Sequence, residues 1–143
     1  PDWLPAWLEA PVWRFSLAPA ICGARSAIGL MLPSVDRAGR YFPLTLAAIS
    51  DTGAPSPEAD DWLDACEAAG RAALDRDLLP AQIAELVPPP PPFDSEAPTG
   101  TTWWTDGGPR VPASRLTFLA LPDADAFVAM LDAGRQTAAT GAP

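Results

Sequence analysis

The chain has 143 residues, with eighteen Asp and Glu against nine Arg, no Lys and no His, for a formal net charge of −9 and a pI near 4.2. One domain with a single packed core is the expectation at this length. The acidic balance repels phosphate backbones and anionic membrane surfaces, and no apolar run is long enough to span a bilayer, which argues against nucleic-acid binding and membrane insertion.

Residues 2–9 place Trp3, Leu4, Trp7 and Leu8 on one helical face, with Pro5 near the start and Pro11 as the stop. In Val12 to Ala18, Trp13, Phe15 and Leu17 alternate with Arg14 and Ser16, the period of a strand with one apolar face. Pro19 to Arg25 reads as a turn. Ser26 to Leu32 is nearly all apolar, as in a central strand covered on both faces, with Gly29 allowing close approach of another backbone or of a bulky Trp. A charged loop carrying Asp36, Arg37, Gly39 and Arg40 follows, then a third strand from Tyr41 to Ile49 with Pro43 near its start or on an edge. Three strands with short connections predict an antiparallel meander.

Ser56-Pro57-Glu58 signals a helix start, with Asp60 and Asp61 at the positive dipole end. Trp62, Leu63, Cys66, Ala69, Ala73 and Leu74 form its apolar face; Asp60, Asp64, Glu67, Arg71 and Asp75 form the opposite one. A short helix over Pro80 to Leu86, with Ile83 and Leu86 inward, leads into five prolines, Pro88 to Pro92, read as a polyproline II spacer within a Pro-rich loop over 88–100. Thr101 to Thr105 is a strand whose adjacent Trp103 and Trp104 point to opposite faces, and Arg115 to Leu121 a further strand. Asp123 caps a final helix with Phe127, Met130 and Leu131 inward and Gly134 as its stop. The domain is placed over residues 1–135 and a disordered tail over 136–143.

Catalytic chemistry has few donors in this chain. The absence of His removes the usual imidazole base and the commonest zinc ligand. Cys22 and Cys66 lack CxxC spacing and read as small buried hydrophobes of a reducing compartment. Cys22 before Gly23 is a faint likeness to a nucleophile elbow, which keeps a hydrolase using Cys22 as the enzymatic alternative. Asp60, Asp61 and Asp64 at helical spacing do not wrap a cation. No P-loop or dinucleotide fingerprint is present, so no cofactor is expected. The loop has two readings: Asp36 pairs with Arg37 or Arg40 or caps its own turn, or the arginines project from a rigid sheet rim toward an anionic group on a partner. Arg14, on the polar face of its strand, joins Asp36, Arg37 and Arg40 as a candidate partner-binding residue.

Trp3-Leu4-Pro5-Ala6-Trp7-Leu8, Ala10-Pro11-Val12-Trp13-Arg14-Phe15, Met31-Leu32-Pro33-Ser34-Val35-Asp36-Arg37, Gly39-Arg40 and Phe42-Pro43-Leu44-Thr45 together resemble the TagF (ImpM) family, and Trp103-Trp104-Thr105, Leu121-Pro122 and Phe127 fit its later pattern. The resemblance implies a small α/β (α+β) protein with an antiparallel meander sheet packed by helices, longin- or SNARE-like, lacking the first strand and helix with which the family opens. It also implies a non-enzymatic, cytoplasmic accessory role: post-translational repression of type VI secretion by binding the forkhead-associated scaffold protein of that system. A structural scaffold component of the secretion apparatus is the other non-enzymatic alternative.

Overall fold

A computed structural model describes residues 2–51, 53, 59–93 and 99–134. In chain order the elements are α1 (Leu4–Leu8), β1 (Trp13–Leu17), β2 (Ser26–Val35), β3 (Tyr41–Ser50), α2 (Ala59–Asp75), α3 (Pro80–Leu86), β4 (Thr101–Thr105), β5 (Ser114–Phe118) and α4 (Ala124–Leu131). The strands form one sheet in the order β3-β2-β1-β4-β5, every neighbouring pair antiparallel. The meander expectation holds for β1 to β3, and the architecture is an α+β sheet packed by helices.

The period-2 alternation divides the sheet into two cores. Ile28, Leu30 and Leu32 point to one face and meet Trp62, Leu63 and Cys66 of α2. Trp13, Phe15, Leu17 and Trp103 point to the other and meet Val111 and Met130 of α4. Trp13 donates its indole N–H to the Met130 carbonyl at 2.8 Å, which ties α4 to the central strand. At the chain ends, Arg110 bridges Glu9 at 2.7 Å and Asp132 at 3.2 Å, holding the end of α1, the loop before β5 and the end of α4 together. Its guanidinium pKa is raised, chiefly by the hydrogen bond to Glu9.

Several expectations need correcting. β2 runs three residues past Leu32, through Pro33. Pro33 faces Pro43 across the ladder, and neither has an N–H, so the pair sits at a non-hydrogen-bonded position where proline is tolerated. β5 ends at Phe118, not Leu121, and Leu119 is almost wholly exposed. α4 stops at Asp132, whose extended backbone breaks the helix two residues before Gly134; Asp123 caps the start by accepting from the Ala126 N–H at 2.8 Å. Trp3, Leu8 and Leu86, at the ends of the short helices α1 and α3, and Leu74, in the last turn of α2, are exposed instead of inward, because the helix ends bury a narrower stripe than the apolar pattern offers. Cys22 is exposed rather than buried. Pro88 to Pro92 carry no helix or strand, and the Pro88 carbonyl accepts from the Trp62 indole at 3.0 Å. The helix-start residues Ser56 to Glu58, residues 94–98 of the Pro-rich loop and the tail from Gln136 lie outside the described residues.

Candidate protein-docking face

The Asp36–Arg40 loop joins β2 to β3 and is closed by its own hydrogen bonds. Asp36 N–H donates to the Arg40 carbonyl and Gly39 N–H to the Asp36 carbonyl, each at 3.0 Å. Asp36 Oδ1 accepts from the N–H groups of Ala38 and Arg40, both at 2.9 Å, and Oδ2 accepts from Arg40 Nε at 2.6 Å. Gly39 takes the left-handed backbone (φ 80°) the turn requires. Asp36 is therefore the lock of the loop, while the Arg40 side chain is 81% exposed. The Arg40 N–H hydrogen bond, ahead of the guanidinium and the Ala38 N–H and against partial desolvation, holds the Asp36 carboxyl below the usual aspartate range.

Because the folded-state pKa is depressed, the carboxylate favours the folded loop above the ordinary aspartate pKa, and that contribution is lost as pH falls through the lowered value. Asp36→Ala is expected to free the 36–40 amides, seen as faster hydrogen exchange there near neutral pH, and to remove the acid-dependent part of the loop's protection. Unchanged exchange in the variant would contradict the lock.

Arg37 reaches out of the loop to the turn after α2. Its Nε lies 2.5 Å from Asp77 Oδ2, and its Nη2 donates to the Asp77 carbonyl at 3.3 Å. Asp77 stands in the left-handed region (φ 51°), and the Leu78 N–H bonds the Ala73 carbonyl at 3.0 Å, the six-to-one closure of a Schellman turn. That turn sends the chain back over the β3 side of the sheet. Gln82 Oε1 then accepts from the Leu79 N–H at 2.8 Å and starts α3. Loop, turn and α3 enclose a groove of about 450 Å³ walled by Val35, Phe42, Leu44, Leu74, Leu79 and Ile83. Asp36, Arg37 and Arg40 stand together on its edge.

The fourth candidate is elsewhere. Arg14 lies on the α2 face of β1, its side chain 13% exposed, held by Asp64 at 2.6 Å and Glu67 at 3.8 Å. It lines a separate polar cleft of about 400 Å³ with Trp104 and Asp106. Sequence periodicity put Arg14 on a polar face but gave no sign that α2 carboxylates cover it. Trp104 is half-buried there, with the Arg115 guanidinium over its ring at 5.4 Å. Burial pushes the Cys66 thiol up to about 11, partly offset by the Arg14 charge. Native protein is thus expected to give one fast thiol with a disulfide reagent, at Cys22, and a second only on unfolding; two fast thiols would contradict the packing of α2.

Among the described residues, no group of three or more His, Cys, Asp or Glu is placed to hold a metal ion, and no helix is long and apolar enough to cross a membrane.

Fold and loop together define an α+β domain on a five-stranded antiparallel sheet, with a rigid charged loop at one end as its most constructed surface feature. Residues 1–88 match the TagF N-terminal domain, type VI secretion system-associated, and the chain belongs to that family. It is also similar to a solved structure, PA0076 from Pseudomonas aeruginosa PAO1, at 29% sequence identity and a TM-score of 0.76, over 92% of this chain and 74% of that one. No curated protein matches.

Proposed function

We propose that the protein is a non-enzymatic, cytoplasmic accessory protein that represses type VI secretion post-translationally by binding the forkhead-associated scaffold protein of that system. The observation that carries this is the Asp36–Arg40 loop. Its backbone is fixed by Asp36, and its two exposed guanidinium groups stand beside an apolar groove within the family-matched segment. Preorganised, amphipathic surface of this kind suits recognition of another polypeptide. The sequence offers no histidine base, and the buried, high-pKa Cys66 is poorly suited to act as a nucleophile.

The test is secretion of a type VI substrate from cells expressing the chain. Repression should lower the secreted amount without changing the amount inside the cell. The Arg37→Ala/Arg40→Ala double variant should relieve it, and Cys22→Ala should not. Relief by a folded Cys22→Ala variant would favour the hydrolase instead.

A further inference from the structure

We infer that the outer edge of β3 pairs with the same edge of a second copy of this chain, joining the two sheets antiparallel across a two-fold axis at Ala47. Such a contact is independent of scaffold binding.

The β2–β3 ladder decides which groups face outward. At its end the Asp36 N–H bonds the Arg40 carbonyl, so in this register Ser34–Phe42, Leu32–Leu44, Leu30–Leu46 and Ile28–Ala48 are the hydrogen-bonded pairs. Pro33 and Pro43, which have no N–H, fall on the alternate set, as they must. Thr45, Ala47 and Ile49 therefore turn their N–H and carbonyl groups away from β2, and among the described residues nothing accepts from those N–H groups. Their side chains are exposed as well, Ile49 at 59%.

This edge carries little of the protection that keeps sheets apart. Short length, charged side chains, bulges and proline are the usual devices. β5, the opposite edge of the sheet, uses the first two, with five residues and an exposed Arg115 among them. β3 runs for ten residues, pairs with β2 without a bulge, and contains no charged residue. Pro43 guards only the end beside the loop and leaves Thr45 to Ile49 open.

A row of outward donors and acceptors at strand spacing is matched by another strand, and the composition of β3 selects its own copy. About a dyad at Ala47, Thr45 lies opposite Ile49 of the second copy on one face and Leu46 opposite Ala48 on the other, so each cross-strand pair is uncharged and sets a larger side chain against a smaller one. Ala47 meets Ala47 at the axis, and Pro43 falls at the rim opposite Asp51, where its carbonyl can still accept. A net charge of −9 opposes self-association in general, but the charges flanking β3 are paired within the chain, Arg25 with Asp51 at 3.7 Å and Arg40 with Asp36 at 2.6 Å. A neutral, self-complementary patch is what an isologous two-fold contact requires.

The test is sedimentation equilibrium of the full chain under reducing conditions from micromolar to near-millimolar concentration, with amide hydrogen exchange followed by NMR on the same samples. The mass should rise from 15.0 kDa toward twice that value. Over the same range the Thr45, Ala47 and Ile49 amides should pass from fast to slow exchange, while Leu44, Leu46 and Ala48, already bonded to β2, stay slow throughout. Thr45→Pro removes an outward donor without touching the β2 ladder, and Ile49→Lys places a charge on the edge; each should raise the dissociation constant by about tenfold or more. Thr117→Lys on β5 and Leu79→Glu beside α3 should leave it unchanged. A mass of 15.0 kDa at every concentration, an unchanged dimer in both β3 variants, loss of the dimer in Leu79→Glu, or slow exchange of the Thr45, Ala47 and Ile49 amides independent of concentration would each overturn the inference.

Discussion

Replacing Trp13 with alanine is expected to lower stability by about 3–5 kcal/mol, the range for deleting a large, fully buried aromatic. Trp13 is 1% exposed, lies in the central strand opposite Met31, and packs with Phe15, Trp103, Val111 and Met130. Its loss opens a cavity in the core on the α4 side and leaves the Met130 carbonyl without its indole donor, a further cost of about 1 kcal/mol or more. For a domain of this size each kcal/mol lowers Tm by roughly 2–4 °C, so the change is read directly in a thermal melt. Trp13→Phe keeps most of the volume and loses the N–H, and should fall between wild type and Trp13→Ala. A Trp13→Ala melt within a degree of wild type would mean that α4 is not docked as described.

Gly29→Ala is expected to cost about 1–3 kcal/mol although only a methyl group is added. Gly29 pairs with Ala47 of β3 and faces Phe15 of β1. A Cβ at this position would lie 2.8 Å from the Phe15 ring and 2.9 Å from the Ala47 Cα, and closer still to the Leu46 carbonyl oxygen. Two of those three neighbours are backbone, which cannot swing away without parting β2 from β3. Gly70 in α2 is the contrast. Its nearest obstacle is a Leu32 methyl at 2.9 Å, the far end of a flexible side chain, and alanine gains roughly 1 kcal/mol of helix propensity over glycine. Gly70→Ala should therefore remain within about 1 kcal/mol of wild type. Urea unfolding of the two variants side by side checks the ordering, and a Gly70→Ala loss larger than that of Gly29→Ala would contradict it.

Local period and local capping make much of this fold legible in the sequence. The alternation of Trp13, Phe15 and Leu17, the apolar run before the loop, the α2 stripe through Trp62, Cys66, Ala69 and Ala73, and the Asp123 cap all behave as their spacing requires. Long-range pairings were out of reach. Nothing in Thr101–Thr105 says that it inserts between β1 and β5, since a β-branched, aromatic run fits any covered position in a sheet. The docking face shows the same division. A self-bonded turn at Asp36 and Gly39 is one of the two readings the sequence allows, but the Arg37–Asp77 pair joins residues far apart in sequence. The groove exists because a Schellman turn built on an aspartate returns the chain over β3. Asp is an uncommon residue for that position, so its identity gave little warning.

The most direct test of the binding account is calorimetric titration of the intact chain with the forkhead-associated scaffold protein. Saturable binding is predicted for wild type and for Arg14→Gln, whose side chain is covered by the α2 carboxylates. A loss of about tenfold or more is predicted for Arg37→Ala/Arg40→Ala with the Tm preserved. No binding by wild type, or equal affinity in the loop variant, would contradict it.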